Sequence, residues 1–165
     1  MTPSEAGFLR DTVLVIVRRQ TRGTRKMIAA IPPDRLAWRP HQKGYTALEL
    51  AWHIVESEVL LCELYSRGSL EGLAHAEAPP SLDQVIAYHE RLLPPGIEAL
   101  RAIPTERLAA DFEAFGRTMP LAEHLLFLPH HTLHHRGQLS AYLRTMGAFV
   151  PGVMGLSADE RPPAT

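Results

Sequence analysis

Proline placement constrains this chain more than any other feature. A proline inside a helix removes a backbone hydrogen bond and clashes with the carbonyl one turn earlier. Of the fourteen prolines, all but Pro94, Pro95 and Pro129 stand outside, or in the first turn of, four long stretches that read as helices. The first opens with Thr2-Pro3-Ser4-Glu5, a threonine N-cap with Pro at the first helical position and Glu three residues on. It runs through Phe8, Val13, Val17 and Met27 to about Ile31, where Pro32-Pro33 stops it. The second opens with Thr46-Ala47-Leu48-Glu49, a capping-box pattern, and ends near Ser66 ahead of Gly68. The third begins at Ser81, with Gln84 three residues on, and reaches about Ala102; Pro94-Pro95 predicts a kink or interruption within it. The fourth starts at Pro120 and continues to about Met146, where Gly147 closes it.

Between these stretches, residues 32–45 and 68–80 read as loops. Residues 103–119 are mixed, with a short extended piece over Phe112–Met119. The tail from Val150 to Thr165 is expected to pack in part before fraying. Strand alternation of useful length, internal repeats and low-complexity segments are absent from the sequence. Four helices around one core predict an all-α four-helix bundle, a single domain over residues 1–165. The long connection after the first helix leaves the order of neighbours open.

Composition narrows the function classes. The chain has 165 residues, 45% hydrophobic and 21% charged, enough to bury a core without disulfides. Seventeen basic residues against eighteen acidic ones give a formal net charge of -1, which argues against nucleic acid or an acidic membrane surface as a partner. One cysteine, Cys62, fits a reducing compartment, and the opening residues lack the apolar run of a signal peptide. No run approaches the length that spans a bilayer. A cytoplasmic protein acting on small molecules is the expectation. Arginine outnumbers lysine 15 to 2, a skew we assign to genomic base composition.

Histidine carries the chemical signal. Of nine, five (His124, His130, His131, His134 and His135) fall within twelve residues of the fourth helix. Imidazoles spaced i, i+4 on a helix project from one face and can share a metal. Two such pairs exist, His130 with His134 and His131 with His135. At about 100° per residue, Leu121, Leu125, Leu128, Leu139 and Leu143 define the inward face. His135 lies about 40° and His131 about 80° from its centre, whereas His134 and His130 point away. The inward pair is therefore His131 and His135, and the outward pair faces solvent or an interface. His124 shares the inward side, as a core histidine or as a support to the ligands. A third ligand must come from another helix, and His53, beside Leu60 and Leu64, is the best placed. A histidine among leucines is ordinarily a satisfied core residue; the facing pair is what favours the metal reading. Three neutral histidines leave a zinc- or nickel-like ion an open position for water, a thiolate or a substrate oxygen.

The segment Leu133-His134-His135-Arg136-Gly137-Gln138-Leu139, then Tyr142-Leu143-Arg144 and Gly147, resembles the C-terminal signature of the DinB/YfiT-like metalloenzyme superfamily. The tail Val150-Pro151 through Gly155-Leu156-Ser157-Ala158-Asp159-Glu160 is similar as well, and Trp38-Arg39-Pro40 with Trp52-His53-Ile54 resembles the N-terminal half. The resemblance implies an up-down-down-up bundle, often homodimeric, with a divalent metal on one histidine of the second helix and two of the fourth. Carried over by position, these are His53, His131 and His135. It also implies chemistry with low-molecular-weight thiols such as bacillithiol or mycothiol, in transferase or isomerase reactions on small electrophiles. The rival readings are a non-catalytic metal- or ligand-binding bundle, and a bundle whose histidines serve structure alone.

The remaining polar residues have weaker claims. Gln138 either bonds a ligand histidine or sits on the surface. Glu49, Glu56 and Glu63 form a stripe expected to be solvated, with Glu56 the nearest base to His53. Tyr88 and His89 face the core or the cavity. Cys62, Trp38 and Trp52 read as core residues, and the run Arg18, Arg19, Arg22, Arg25 and Lys26 as a solvated face.

Overall fold

The computed structural model describes residues 1–161. Its long helices start where the caps predict. Helix α1 (Pro3–Ala29) begins on a complete Thr2–Glu5 capping box, and α2 (Ala47–Arg67) on a complete Thr46–Glu49 box. Helix α2 ends on Gly68, whose φ of 78° is the left-handed geometry that glycine adopts without penalty. Helix α3 (Leu82–Arg101) starts on Ser81, whose side chain accepts from the Gln84 amide. A short helix α4 (Thr105–Ala109) leads into a hairpin of β1 (Asp111–Ala114) and β2 (Arg117–Pro120), antiparallel with Asp111 opposite Pro120 and Ala114 opposite Arg117. Helices α5 (Leu121–His124) and α6 (Phe127–Thr145) follow.

Two elements depart from expectation. Helix α3 runs unbroken through Pro94-Pro95. Both prolines and the residues one turn back, Glu90 and Arg91, face solvent, so the carbonyls left without an amide partner can be hydrated. The fourth predicted helix is two helices, broken at Leu125-Leu126. Pro129 accounts for the position: it has no N–H to give the carbonyl one turn earlier, Leu125, and its ring crowds that carbonyl, which accepts from the Leu128 amide (3.2 Å) instead. The extended piece expected over Phe112–Met119 is the hairpin. Its two-residue turn, Phe115-Gly116, has φ of 53° and 70°. Such turns favour Asn-Gly, and a bulky residue in the left-handed region costs on the order of 1–2 kcal/mol.

Side-chain pairs fix the bundle's connectivity. Arg25 with Glu90 and Arg10 with the Arg101 carbonyl run α1 antiparallel to α3. His53 with His135 and Thr132 with Glu58 run α2 antiparallel to α6. Trp52 on Tyr88, Glu58 on His89 and Cys62 beside Gly96 advance together, so α2 and α3 are parallel despite being consecutive. The ring order is α1, α3, α2, α6, with the long loop after α1 crossing the diagonal to α2. This is the up-down-down-up bundle.

The core has two apolar halves. One gathers Val13, Leu14, Leu64, Tyr65, Leu100 and Leu125; the other Met27, Ile28, Leu50, Ile54, Leu139 and Leu143. Between them lies a buried polar layer drawn from all four long helices. Glu58 accepts from His89 Nε2 (2.6 Å) and from the Thr132 hydroxyl (2.5 Å), and Arg25 Nε donates to His89 Nδ1 (3.4 Å). Arg136, almost fully buried, donates to the Gln20 carbonyl (3.3 Å). Cys62 lies fully inside the first half, as expected, and burial pushes its thiol pKa up. Trp52 is buried, while Trp38 is half-buried against the edge of Tyr142. After α6 the tail folds back: Asp159 accepts from Arg144 and from the Val150 amide, and Glu160 from the Gly152 and Ser157 amides. The fraying expected at the far end concerns residues 162–165, which lie outside the described ones.

Candidate metal centre

Antiparallel packing of α2 on α6 brings three histidines together across 82 residues of sequence. His53 projects from α2, and His131 and His135 project one turn apart from α6. Among the described residues these three are the group able to share an ion, with one nitrogen of each within 4.8 Å of the others. His53 Nε2 and His135 Nε2 are 3.1 Å apart. The rings meet edge to face at centroid distances of 4.5 to 5.0 Å. His130 and His134 are exposed, as the angular reading predicts. His124 is a buried structural residue whose Nε2 bonds the Phe112 carbonyl at 2.9 Å and ties α5 to the hairpin.

Protonation and hydrogen bonding both suit a cation here. Burial, then the neighbouring imidazoles, push the His131 pKa down to about 4. Burial, then the His135 and His75 imidazoles, lower His53, and burial lowers His135 against the raising effect of its hydrogen bond to Gln138. Neutral rings offer lone pairs. Gln138 Oε1 lies 3.0 Å from His135 Nδ1; accepting that N–H leaves Nε2 free to face His53. Ser57 Oγ lies 3.4 Å from His53 Nδ1. The buried Nδ1 of His131 has no hydrogen-bond partner among the described residues. Three neutral, converging nitrogens with one buried nitrogen unpaired fit a divalent cation better than a self-satisfied polar cluster.

Several neighbours were not legible from the sequence. Tyr45, at the end of the crossover loop, stacks on His53 at 5.1 Å and 22°, and its carbonyl accepts from the Tyr142 hydroxyl (3.1 Å). Phe127 lies 5.4 Å from His131, and Phe115 stacks on Phe127 at 5.4 Å and 27°. His75, exposed on the loop after α2, bonds Glu56 (Nδ1 to Oε1, 2.8 Å). Glu56 itself is buried, a correction to the solvated stripe: Glu49 and Glu63 are exposed, but the residue 69–80 loop reaches back over Glu56 through His75. His89 is fully buried in the polar layer, and Tyr88 packs on Trp52.

The histidines stand as a wall between two compartments. On one side is a half-open chamber of ≈ 340 Å³, whose lining includes Leu60, Leu64, Leu73, Phe115, Phe127 and His131. On the other is a wider polar groove of ≈ 1000 Å³, whose lining includes Arg39, Lys43, Glu49, Glu56, His135 and Gln138. His53 and His75 border both.

The family profile described as DinB matches residues 9–162. The chain belongs to the DinB family. Among proteins of that likeness, the uncharacterised protein YrdA of Bacillus subtilis is 27% identical over 141 residues, covering 83% of each chain. The uncharacterised YjoA of the same organism is 26% identical over 130 residues, 75% of this chain and 82% of that one. A crystal structure of a DinB-like protein from Bacillus cereus superposes with a TM-score of 0.72 at 26% identity, covering 86% of this chain and 95% of that one. The crystal structure of YjoA, at 22% identity, shares the fold with a TM-score of 0.69 over 91% of this chain and 98% of that one. The DinB fold expected from the HHRGQL segment is thus the one observed. No helix among the described residues is long and apolar enough to cross a membrane.

Proposed function

We propose that this DinB-family chain is a single-domain metal-dependent enzyme in which His53, His131 and His135 hold a divalent ion, zinc or nickel. The observation that carries the reading is the convergence of three neutral ring nitrogens from two helices beside two open compartments. Three nitrogen ligands leave a position for an exogenous group. When bound, the ion supplies Lewis acidity, favouring the deprotonated form of a water or thiol and polarising a substrate oxygen. The protein's own residues do the rest. Gln138 fixes the His135 tautomer, Ser57 lies against the far side of His53, and Tyr45 covers that ring. Arg39 and Lys43 give the polar groove cationic groups for an acidic molecule, which suits a carboxylate-bearing low-molecular-weight thiol such as bacillithiol better than the uncharged mycothiol. Transfer of such a thiol to a small electrophile is the reaction class we favour. The same reading carries a cytoplasmic homodimer, which light scattering on the purified protein checks.

Metal analysis tests the site. The wild-type protein is expected to carry about one ion per chain, and the His131→Ala, His135→Ala double variant to carry none. Full retention in the double variant overturns the assignment.

A further inference from the structure

Charged side chains line the groove on one side of the histidines, whereas hydrocarbon dominates the chamber on the other. Apart from His53, Ser57, His75 and His131, every residue of the chamber is Leu or Phe. We propose that this chamber receives the hydrocarbon part of the substrate, one aromatic ring or a short alkyl chain, while its reactive end faces the histidines. This deepens the metal-site reading and rests on it.

Three observations carry the assignment. The first is size: an apolar cavity of about 150 Å³ already takes a benzene ring, and this one has ≈ 340 Å³, within the range of roughly 300–1,000 Å³ usual for small-molecule sites. The second is the hairpin tip. Its turn puts a phenylalanine where asparagine would sit without strain, with φ of 53° and the ring more than half exposed. Strain of that kind collects at functional positions. Here it places the Phe115 ring on Phe127, and Phe127 against His131, a continuous aromatic wall from the hairpin to the metal centre. The third is a second loop. Leu70 and Leu73, from the loop after α2, belong to the same lining, and Leu70 does so while more than half exposed. Two irregular segments, the hairpin and the loop after α2, both turn hydrocarbon toward the same space.

Calorimetric titration of the zinc-loaded protein with acetohydroxamic and benzohydroxamic acids tests this, because the two share a metal-binding group and differ as methyl against phenyl. The phenyl compound is expected to bind at least about tenfold tighter, the gain from burying one ring. Leu60→Trp, which fills the chamber, should abolish that preference, bringing the two affinities together; Leu73→Trp serves if the first variant fails to fold. Equal affinities in the wild type, or a preference that survives both fillings, overturn the proposal. Failure of acetohydroxamic acid to bind at all speaks against the metal reading instead. The chamber is then decided by fluorine NMR of 4-fluorobenzyl alcohol on the metal-free protein. Broadening in the wild type that a filled variant lacks supports it, and identical spectra overturn it.

Discussion

A histidine is a useful ligand only while it is neutral, and burial keeps these three so. In an unfolded chain each titrates near the ordinary imidazole value of about 6.5, whereas burial in the folded protein pushes His131 down to about 4. Across that window the unfolded state binds more protons than the folded one, so stability rises with pH. Its contribution is fully present above about pH 6.5 and is lost as pH falls toward 4. Metal-free protein is therefore expected to melt at progressively lower temperature between those limits, and His131→Gln to flatten the slope; a melting temperature indifferent to pH there contradicts the burial argument. Gln138 acts through its bond to His135 Nδ1. Gln138→Leu should weaken metal affinity by about 10–100-fold, measured by chelator competition, with little change in helix content. The strained turn gives a prediction of opposite sign: Phe115→Asn relieves the left-handed penalty and should stabilise by roughly 0.5–1 kcal/mol in urea unfolding. The clustered histidines themselves were legible, because helical spacing separates inward His131 and His135 from outward His130 and His134. Tyr45, His75 and Phe127 were not, since loops and the α5–α6 break bring them in and no periodicity reports on either. Glu56 was misread for the same reason: its helix position is ordinary, and only the loop carrying His75 encloses it.

At the scale of elements, the contact between α2 and α3 sets its own rule. A Cβ built on Gly96 lies 2.9 Å from Cys62 Cβ, a short-side-chain carbon that cannot swing away. Gly to Ala within a helix normally stabilises, by about 1 kcal/mol. Gly96→Ala should instead destabilise, by roughly 1–3 kcal/mol as overpacking does, and chemical denaturation reads the sign directly. The buried polar layer behaves similarly. Glu58→Ala strips His89 and Thr132 of a shared acceptor inside the bundle, and each buried donor left without a partner costs about 1–3 kcal/mol. Helix starts were readable here because capping is local: Thr2, Thr46 and Ser81 each accept the amide three residues on. The break at Leu125-Leu126 has no cap residue, and its one mark is Pro129, four residues after Leu125. Leu121, Leu125 and Leu128 keep the helical period across it, the backbone passes through on tighter bonds such as Leu128 N to Leu125 O, and no glycine announces it.

For the whole molecule, patterning predicted four helices about one core but left their neighbours open, because periodicity identifies a buried face and not its partner. Pairs distant in sequence, among them His53 with His135 and Arg25 with Glu90, decide the ring order. The resemblance carried by the HHRGQL segment supplied the up-down-down-up order that patterning could not. That ring has a consequence for how the protein is made. Helix α6 closes it, and two of the three histidines proposed to hold the ion arrive on α6. A nascent chain still short of residue 131 has only His53 to offer, however well its first three long helices have formed. Ion capture on the ribosome would thus be confined to the last stage of synthesis, when the closing helix docks between α1 and α2.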